Sequence, residues 1–344
     1  MAGNYAKARH QAAGHDGNYT DVKETLFFKP TTSTELEFYQ NIQGRNSKIT
    51  NDQDVTLESW MPIFLGSLTV GIPENFSAPA VGQSCDPNLT RNIELLESNP
   101  ELASKEKPVI VLENLLQGYK APNILDVKLG KILYDDAVST EKKLRLQKVS
   151  DETTSGSLGL RICGMNIQNN SKVRLLNQGY FEHESGGYVA VNKFYGRSLN
   201  EKNIIEGFEL FLANDAFSDH HRAVLSDIFL KRLIVFYNTL IDEEVRLIST
   251  SLLFIYEGDT ARWEEADSTH SILKEDFVTS CSDEEEGEGE GEVENDKHKC
   301  LSSLSLIDFA HSRTVPGEGL DENVVTGVES LMNIFEDLNS KRLG

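Results

Sequence analysis

Cysteine is scarce: Cys85, Cys163, Cys281 and Cys300 are scattered through 344 positions with no CxxC spacing. A disulfide framework or a zinc site would need closer and more regular spacing, so neither is expected, and His298 near Cys300 has no partners from which to build a metal site. Long apolar runs are also missing. The most apolar helix candidate, Val224 to Ile241, is broken by Asp227, Lys231 and Arg232, and the N-terminal MAGNYAKARHQAAGHDG has no apolar core of signal-peptide length. The expectation is a soluble intracellular chain without stable membrane association, in which the Asn75-Phe76-Ser77 sequon carries no glycan. Neither of the common nucleotide cradles, GxxxxGKS/T or the protein-kinase GxGxxG, is present. Positive charge is in deficit as well. With 33 Lys and Arg against 55 Asp and Glu, the formal charge of −22 argues against direct nucleic-acid binding, which needs a basic footprint.

Much of the negative charge is local. The run DEEEGEGEGEVEND, Asp283 to Asp296, holds nine acids and no base. It repels itself and has only Val293 to bury, so a disordered loop over 281–299 is expected. A solvated insertion and a contact for a basic protein, such as a transcription factor or histone, both fit it.

The rest reads as one bilobal unit without internal repeats. In the first part, Thr25 to Lys29 is strand-like, Thr32 with Glu35 makes a capping box, and Leu36, Phe38, Tyr39 and Ile42 follow at helical spacing. Trp60 to Ile72 and Pro108 to Leu112 add strand candidates, Pro73 and Pro79 bracket a loop, and Asp86 to Lys107 reads as another. Beyond Tyr134 the character shifts toward helix, with helices at Asn203 to Ala213 and His220 to Asp242. Arg246 to Tyr256 and Leu304 to Ala310 resemble strands, and a final amphipathic helix carries Val324, Val328, Leu331, Phe335 and Leu338 as a stripe for lobe packing.

Chemistry concentrates in PNILDVKLGKILY, Pro122 to Tyr134. On a half-buried strand Leu125, Val127 and Leu129 form one apolar row, and Asp126, Lys128 and Gly130 face the other way. An acid and a base then share a cleft, and Gly130 leaves room for an anion beside Lys128. A surface ion pair on a strand edge would have the same spacing. Further on, Lys142 to Asn200 holds nine bases against four acids, a local +5 within an acidic chain. Lys142, Arg145 and Lys148 recur at a three-residue spacing on roughly one helical face, as a small polyanion would require, although a solvated helix face looks alike.

Pro122, Asp126, Lys128 and Gly130 reproduce the PxxxDxKxG signature of the inositol polyphosphate kinase family. GHDG near the N-terminus, FFKP at Phe27 to Pro30, TSLLFIYEGD at Thr250 to Asp259 and LIDFAH at Leu306 to His311 extend the likeness over nearly the whole chain, and the surrounding residues resemble the fungal multikinase branch. The resemblance implies an α+β, bilobal kinase-like fold, with an antiparallel-sheet N-lobe (1–121) and a larger mixed C-lobe (122–344) containing an inositol-binding segment at 131–165. It implies ATP and Mg2+ as cofactors and inositol phosphates as acceptors, phosphorylated at more than one ring hydroxyl to give the pentakisphosphate. Within it, Gly14 to Gly17 would fold over the phosphates, Lys29 would contact them, and Glu113 and Leu115 would form the hinge that reads adenine. Asp126 would lie near the ribose and the reacting centre, Lys128 would bridge the transferred phosphoryl and the acceptor, and Asp308 would ligate magnesium. Ser251 matches a family serine pair whose first member is Thr250 here. Lys142, Arg145, Lys148 and His311 would hold the acceptor. The resemblance further implies a monomer in nucleus and cytoplasm with a second role as a transcriptional cofactor in arginine metabolism. A kinase of inositol hexakisphosphate, or a mainly non-catalytic protein that stabilises transcription factors, are the alternatives.

Overall fold

The structure, a computed structural model, describes residues 5–12, 17–46, 55–68, 107–265 and 301–343. The chain forms β1 (Tyr5–Lys7), β2 (Tyr19–Asp21), β3 (Leu26–Pro30), α1 (Ser33–Asn46), β4 (Phe64–Leu68) and β5 (Val109–Glu113). These strands make one antiparallel sheet in the order β1-β2-β3-β5-β4 among the described residues. One face carries a small cluster of Tyr19, Phe28, Leu68 and Val109. The opposite side is closed by α1, which buries Phe38, Tyr39 and Ile42 at helical spacing.

A connector then leads to β6 (Pro122–Leu129), α2 (Thr140–Asp151), α3 (Thr154–Leu158), β7 (Leu160–Gln168), β8 (Phe181–His183), β9 (Tyr188–Val191), α4 (Lys193–Ser198), α5 (Ile204–Phe211) and α6 (Asp219–Ile241). The lobe is completed by β10 (Val245–Ile248), β11 (Ser251–Glu257), α7 (Thr260–Glu265), β12 (Ser302–Ile307), β13 (His311–Thr314) and α8 (Glu322–Leu343). Its sheet runs β12-β11-β6-β7-β9-β8, with β10 and β13 as a separate ladder. Val324, Val328, Leu331, Phe335 and Leu338 on α8 are all buried, and Phe335 stacks on Phe254 of β11 at 5.7 Å. The two lobes give an α+β bilobal fold.

Several expectations are corrected here. β6 is neither an edge nor half-buried: it pairs with β11 on one side and β7 on the other, and both its faces are covered. A surface ion pair on a strand edge is thereby ruled out. The shift toward helix beyond Tyr134 is only partial, since β7, β8 and β9 extend the main sheet. Arg246 to Tyr256 is two strands in different sheets, broken at Ser249, whose φ of 60° turns the chain. Trp60 ends a short 3₁₀ turn, Leu57–Trp60, before β4 begins. The capping box is half formed. Thr32 Oγ1 accepts from the Glu35 amide at 3.2 Å, but the Glu35 carboxylate points into the interlobe site. Gly14 to Asp16, Pro73, Pro79, Asp86 to Glu106, the acidic run Asp283 to Asp296, Cys85, Cys281, His298 and Cys300 lie outside the described residues. No described helix is long and apolar enough to cross a membrane.

Candidate active site

A cavity of about 410 Å3 opens between the lobes. The N-lobe lines it with Phe27, Lys29, Leu112 and Glu113, the connector with Leu115 and Tyr119, and the C-lobe with Ile124, Ile307 and Asp308. It is apolar where Phe27, Leu112 and Ile124 converge and charged where Lys29 meets Asp308. That division suits a ligand with a flat apolar ring and an anionic tail.

The charged end is built by four elements. Lys29 near the end of β3 donates to Glu35 Oε1 of α1 at 2.8 Å and to Asp308 Oδ1, just past β12, at 2.7 Å. Burial alone would lower the Lys29 pKa, but the Asp308 and Glu35 carboxylates hold it above the usual lysine range. Glu35 is buried and also accepts from Thr31 Oγ1 and, at 3.0 Å, from the Phe309 amide. Asp308 adopts a φ of 67°, and the next residue, Phe309, wedges against Phe38 and Tyr39 of α1 with ring centroids 5.0 and 5.2 Å away. This packing fixes the turn on which Asp308 stands.

Asp126 is buried behind the charged end, close enough to Asp308 and Lys29 to feel both. Burial, reinforced by repulsion from Asp308, pushes its pKa up to about 7, while Lys128, the nearby Ser251 hydroxyl and Lys29 pull the other way. Its Oδ1 is buried and takes no hydrogen bond among the described residues. Two carboxylates facing one another, one with an unpartnered oxygen, form a donor set suited to Mg2+ or Mn2+, which take one or two carboxylates and complete their shell with phosphate and water oxygens. The residues present therefore fit a divalent cation bound with a polyphosphate.

Lys128 shares the Asp126 face of β6, opposite Ser251 on β11 and Arg161 on β7. Its ammonium donates to the Ser249 carbonyl at 2.6 Å, and the Ser249 hydroxyl donates to the Leu133 carbonyl at 3.1 Å in the segment after β6. There His311 Nδ1 meets Asp135 Oδ2 at 2.5 Å. Burial would raise the Asp135 pKa, but His311, the Ala137 amide and Lys142 hold it below the usual range. Lys142 is thus drawn to the site. Arg145 and Lys148 are not: both are exposed on α2, and Lys148 pairs with Glu152 at 3.7 Å.

Two readings of the sequence change at this point. Gly130 does not cradle an anion: it has a φ of 92°, its amide donates to the Gly159 carbonyl at 2.7 Å, and an added Cβ would lie 2.4 Å from Asn323 Nδ2. The basic island is not one patch, because Lys172 pairs with Glu209 at 2.7 Å and Arg161 is buried against Thr153 and Ser155. Sequence reasoning missed Glu35, read only as a cap, and did not single out Arg161. Strand register across β6 and β7 is what brings Arg161 beside Lys128, and no motif encodes it.

The inositol polyphosphate kinase family model matches residues 109–336. The inositol polyphosphate multikinase of Saccharomyces cerevisiae is 48% identical over 347 residues, covering 96% of this chain and 98% of its own length. That of Schizosaccharomyces pombe is 28% identical, covering 94% of each. Human inositol hexakisphosphate kinase 1 is 26% identical and covers 67% of this chain and 53% of its own. Among solved structures, inositol phosphate multikinase Ipk2 from S. cerevisiae, in complex with ADP and Mn2+, superposes with a TM-score of 0.70 at 43% identity, covering 91% of this chain and 99% of that one.

Proposed function

We propose, from the premise that the chain belongs to the inositol polyphosphate kinase family, that it transfers the γ-phosphoryl of ATP to inositol trisphosphate and tetrakisphosphate at more than one ring hydroxyl, ending at the pentakisphosphate. One observation carries this reading. Lys29 and Asp308 meet at the charged end of the interlobe cavity with Asp126 close enough to feel both, and Lys128, on the same strand as Asp126, lies at the end of β6 that leads to Asp135, the partner of His311 on β13.

Phosphoryl transfer asks a protein mainly to position two substrates and neutralise charge. Glu113 at the end of β5 and Leu115 in the connector offer backbone groups to the base, and Lys29 contacts the phosphates. A divalent cation, Mg2+ or Mn2+, held by Asp308 with Asp126 neutralises phosphate charge when bound. Ser251 tempers the Asp126 carboxylate. Lys128 binds the transferred group against the acceptor hydroxyl, with Lys142 and His311 on the acceptor. Arg145 and Lys148, being exposed, contribute long-range attraction for a polyanion more than contacts. An acceptor site bounded by one short helix and a loop binds several phosphate patterns in more than one orientation, which favours a multikinase over a kinase restricted to the hexakisphosphate.

The test is purified protein with ATP, Mg2+ and inositol trisphosphate, with every product identified by chromatography. Asp126→Ala, Lys128→Ala and Asp308→Ala are each expected to lose at least about 100-fold in transfer while remaining folded. Retained activity in all three overturns the assignment, and exclusive use of the hexakisphosphate moves it to the other branch.

A second role rests on the nine acids from Asp283 to Asp296, which offer a contact to basic transcription factors in nucleus and cytoplasm. Deleting 283–296 is expected to abolish binding of such a partner with catalysis intact, and unchanged partner binding counts against the role. The kinase reading needs only one copy of the chain, so sedimentation is expected to give a monomer.

A further inference from the structure

The connector between the lobes, residues 114–121, has to hold its backbone still if it is to read a base, yet it belongs to no sheet or helix. Asn114 ties its start to the Glu24 and Thr25 carbonyls at 2.6 and 2.9 Å, and one buried ion pair holds its second half. Glu257, the last residue of β11, lies opposite Pro122 in the ladder and is fully buried. Its Oε1 accepts from the Ala121 amide at 2.8 Å and the Asp259 amide at 3.0 Å. Its Oε2 accepts from the Lys120 amide at 2.8 Å and from Arg262 Nη1 at 2.7 Å. The same Arg262 nitrogen donates to the Gly118 carbonyl at 2.7 Å, and the Gly258 amide donates to the Ala121 carbonyl at 2.8 Å. One carboxylate and one guanidinium thus fix backbone groups of Gly118, Lys120 and Ala121. These adjoin Tyr119, Lys120 and Pro122, which line the cavity. Trp263 Nε1 caps the arrangement by donating to the Glu257 carbonyl at 2.8 Å.

The pattern of donors demands a carboxylate. Four N–H groups converge on two oxygens, and a glutamine would supply one oxygen and turn an NH2 group toward two of those donors. The cluster sits at the Pro122 end of the β6–β11 ladder, and Lys128, which bonds to Ser249 on the acceptor side, sits at the other end. We propose that Glu257 and Arg262 are positioning residues that clamp the connector at the base-reading end of the cavity, and so set nucleotide affinity and base discrimination while leaving acceptor binding alone. The inference rests on the kinase reading above and deepens it.

ADP with Mn2+ is titrated by calorimetry into the full-length wild type, Glu257→Gln and Arg262→Lys. The expectation is an affinity weakened about 10-fold in Glu257→Gln and about 3-fold in Arg262→Lys, which keeps the charge but loses the rigid planar guanidinium that holds one nitrogen, Nη1, between Glu257 and Gly118. In parallel assays the KM for ATP rises, the preference for ATP over GTP falls, and both the KM for inositol trisphosphate and kcat at saturating ATP stay within about 3-fold of wild type. Equal ADP affinity in wild type and in the folded variants overturns the clamp alone. An equal rise of both KM values does so too, because it marks a general loosening. If Glu257→Gln does not fold, Arg262→Lys carries the same test with the same overturning outcomes. No ADP binding by the wild type overturns the kinase reading and the clamp with it.

Discussion

A carboxylic acid enclosed in a sheet resists ionisation, and burial together with the facing Asp308 pushes the Asp126 pKa up to about 7. In the unfolded chain the same group titrates near 3.9, so between about pH 4 and pH 7 the folded state binds more proton than the unfolded state and loses stability as pH rises. Asp126→Asn removes that penalty. At pH 8, without nucleotide or metal, the variant is expected to be more stable by roughly 2–4 kcal/mol, with no gain at pH 4, as thermal melts would show. It is expected to transfer no phosphoryl group. The variant thereby separates function from stability at one residue, and a stability difference between variant and wild type that is the same at pH 8 and at pH 4 contradicts the account. Asp126 and Lys128 were legible in the sequence because alternation along a strand puts residues two apart on one face. Glu35 was not, since its carboxylate is defined by Lys29 six residues away and by the Phe309 amide 274 residues away. Glu35→Gln leaves Lys29 with one carboxylate fewer in a buried setting, where breaking a pair costs about 3–5 kcal/mol. A lower melting temperature and a loss of about 10- to 100-fold in kcat/KM for ATP are expected; unchanged kinetics would reduce Glu35 to a structural residue.

At the scale of elements, legibility followed the clarity of the period. α5 and α6 lie within a few residues of the bounds that helical spacing of their apolar residues predicts, and α8 contains the predicted stripe from Val324 to Leu338, because each turns one stripe to the core. β7 and β9 were missed. β7 is covered on both faces, so LRICGMNIQ shows no alternation, and β9 is only four residues long. The break between β10 and β11 was hidden too, since Ser249 at a φ of 60° carries no glycine or proline to announce it. Gly130 was visible as a motif residue but misread in purpose, because the reason for glycine lies in α8. Asn323 Oδ1 accepts from the Lys131 and Ile132 amides at 2.7 and 2.8 Å, which brings its side chain against Gly130. Gly130→Ala combines an unfavourable φ with this overlap and is expected to cost about 2 kcal/mol in urea unfolding. The disturbance falls on the start of the acceptor segment, so the KM for inositol trisphosphate should rise more than the KM for ATP. The opposite order would place the glycine's role on the nucleotide side.

For the whole molecule, the issue is how two lobes with separate sheets are held in one register across the site. The connector clamp is one tie, and the Lys29, Glu35 and Asp308 cluster is a second. A third is made by residues 8–12 after β1, which line the cavity and lie against the C-lobe sheet. His10 Nδ1 meets Asn166 Oδ1 at 3.0 Å, its ring packs 4.4 Å from that of Tyr188, and Asn166 Nδ2 in turn donates to Glu184 at 2.7 Å. The tightest point is Gly164, where a Cβ would lie 2.0 Å from the Ala12 carbonyl oxygen. Gly164 is also the β7 residue opposite Asp126. A bilobal plan was readable from the order of strands and motifs, but this crossing was not, since it pairs a polar N-terminal stretch with a glycine 152 positions later. In Gly164→Ala the obstacle is backbone, which no rotamer change relieves, so the 8–12 segment must lift from the sheet while the buried C-lobe core stays intact. The expected signature is faster amide exchange over residues 5–12 and 17–21, a melting temperature lowered by a few degrees at most, and a KM for ATP raised about 5-fold or more through loss of one wall of the cavity. Unchanged exchange in that segment would show that the third tie does not hold the lobes together.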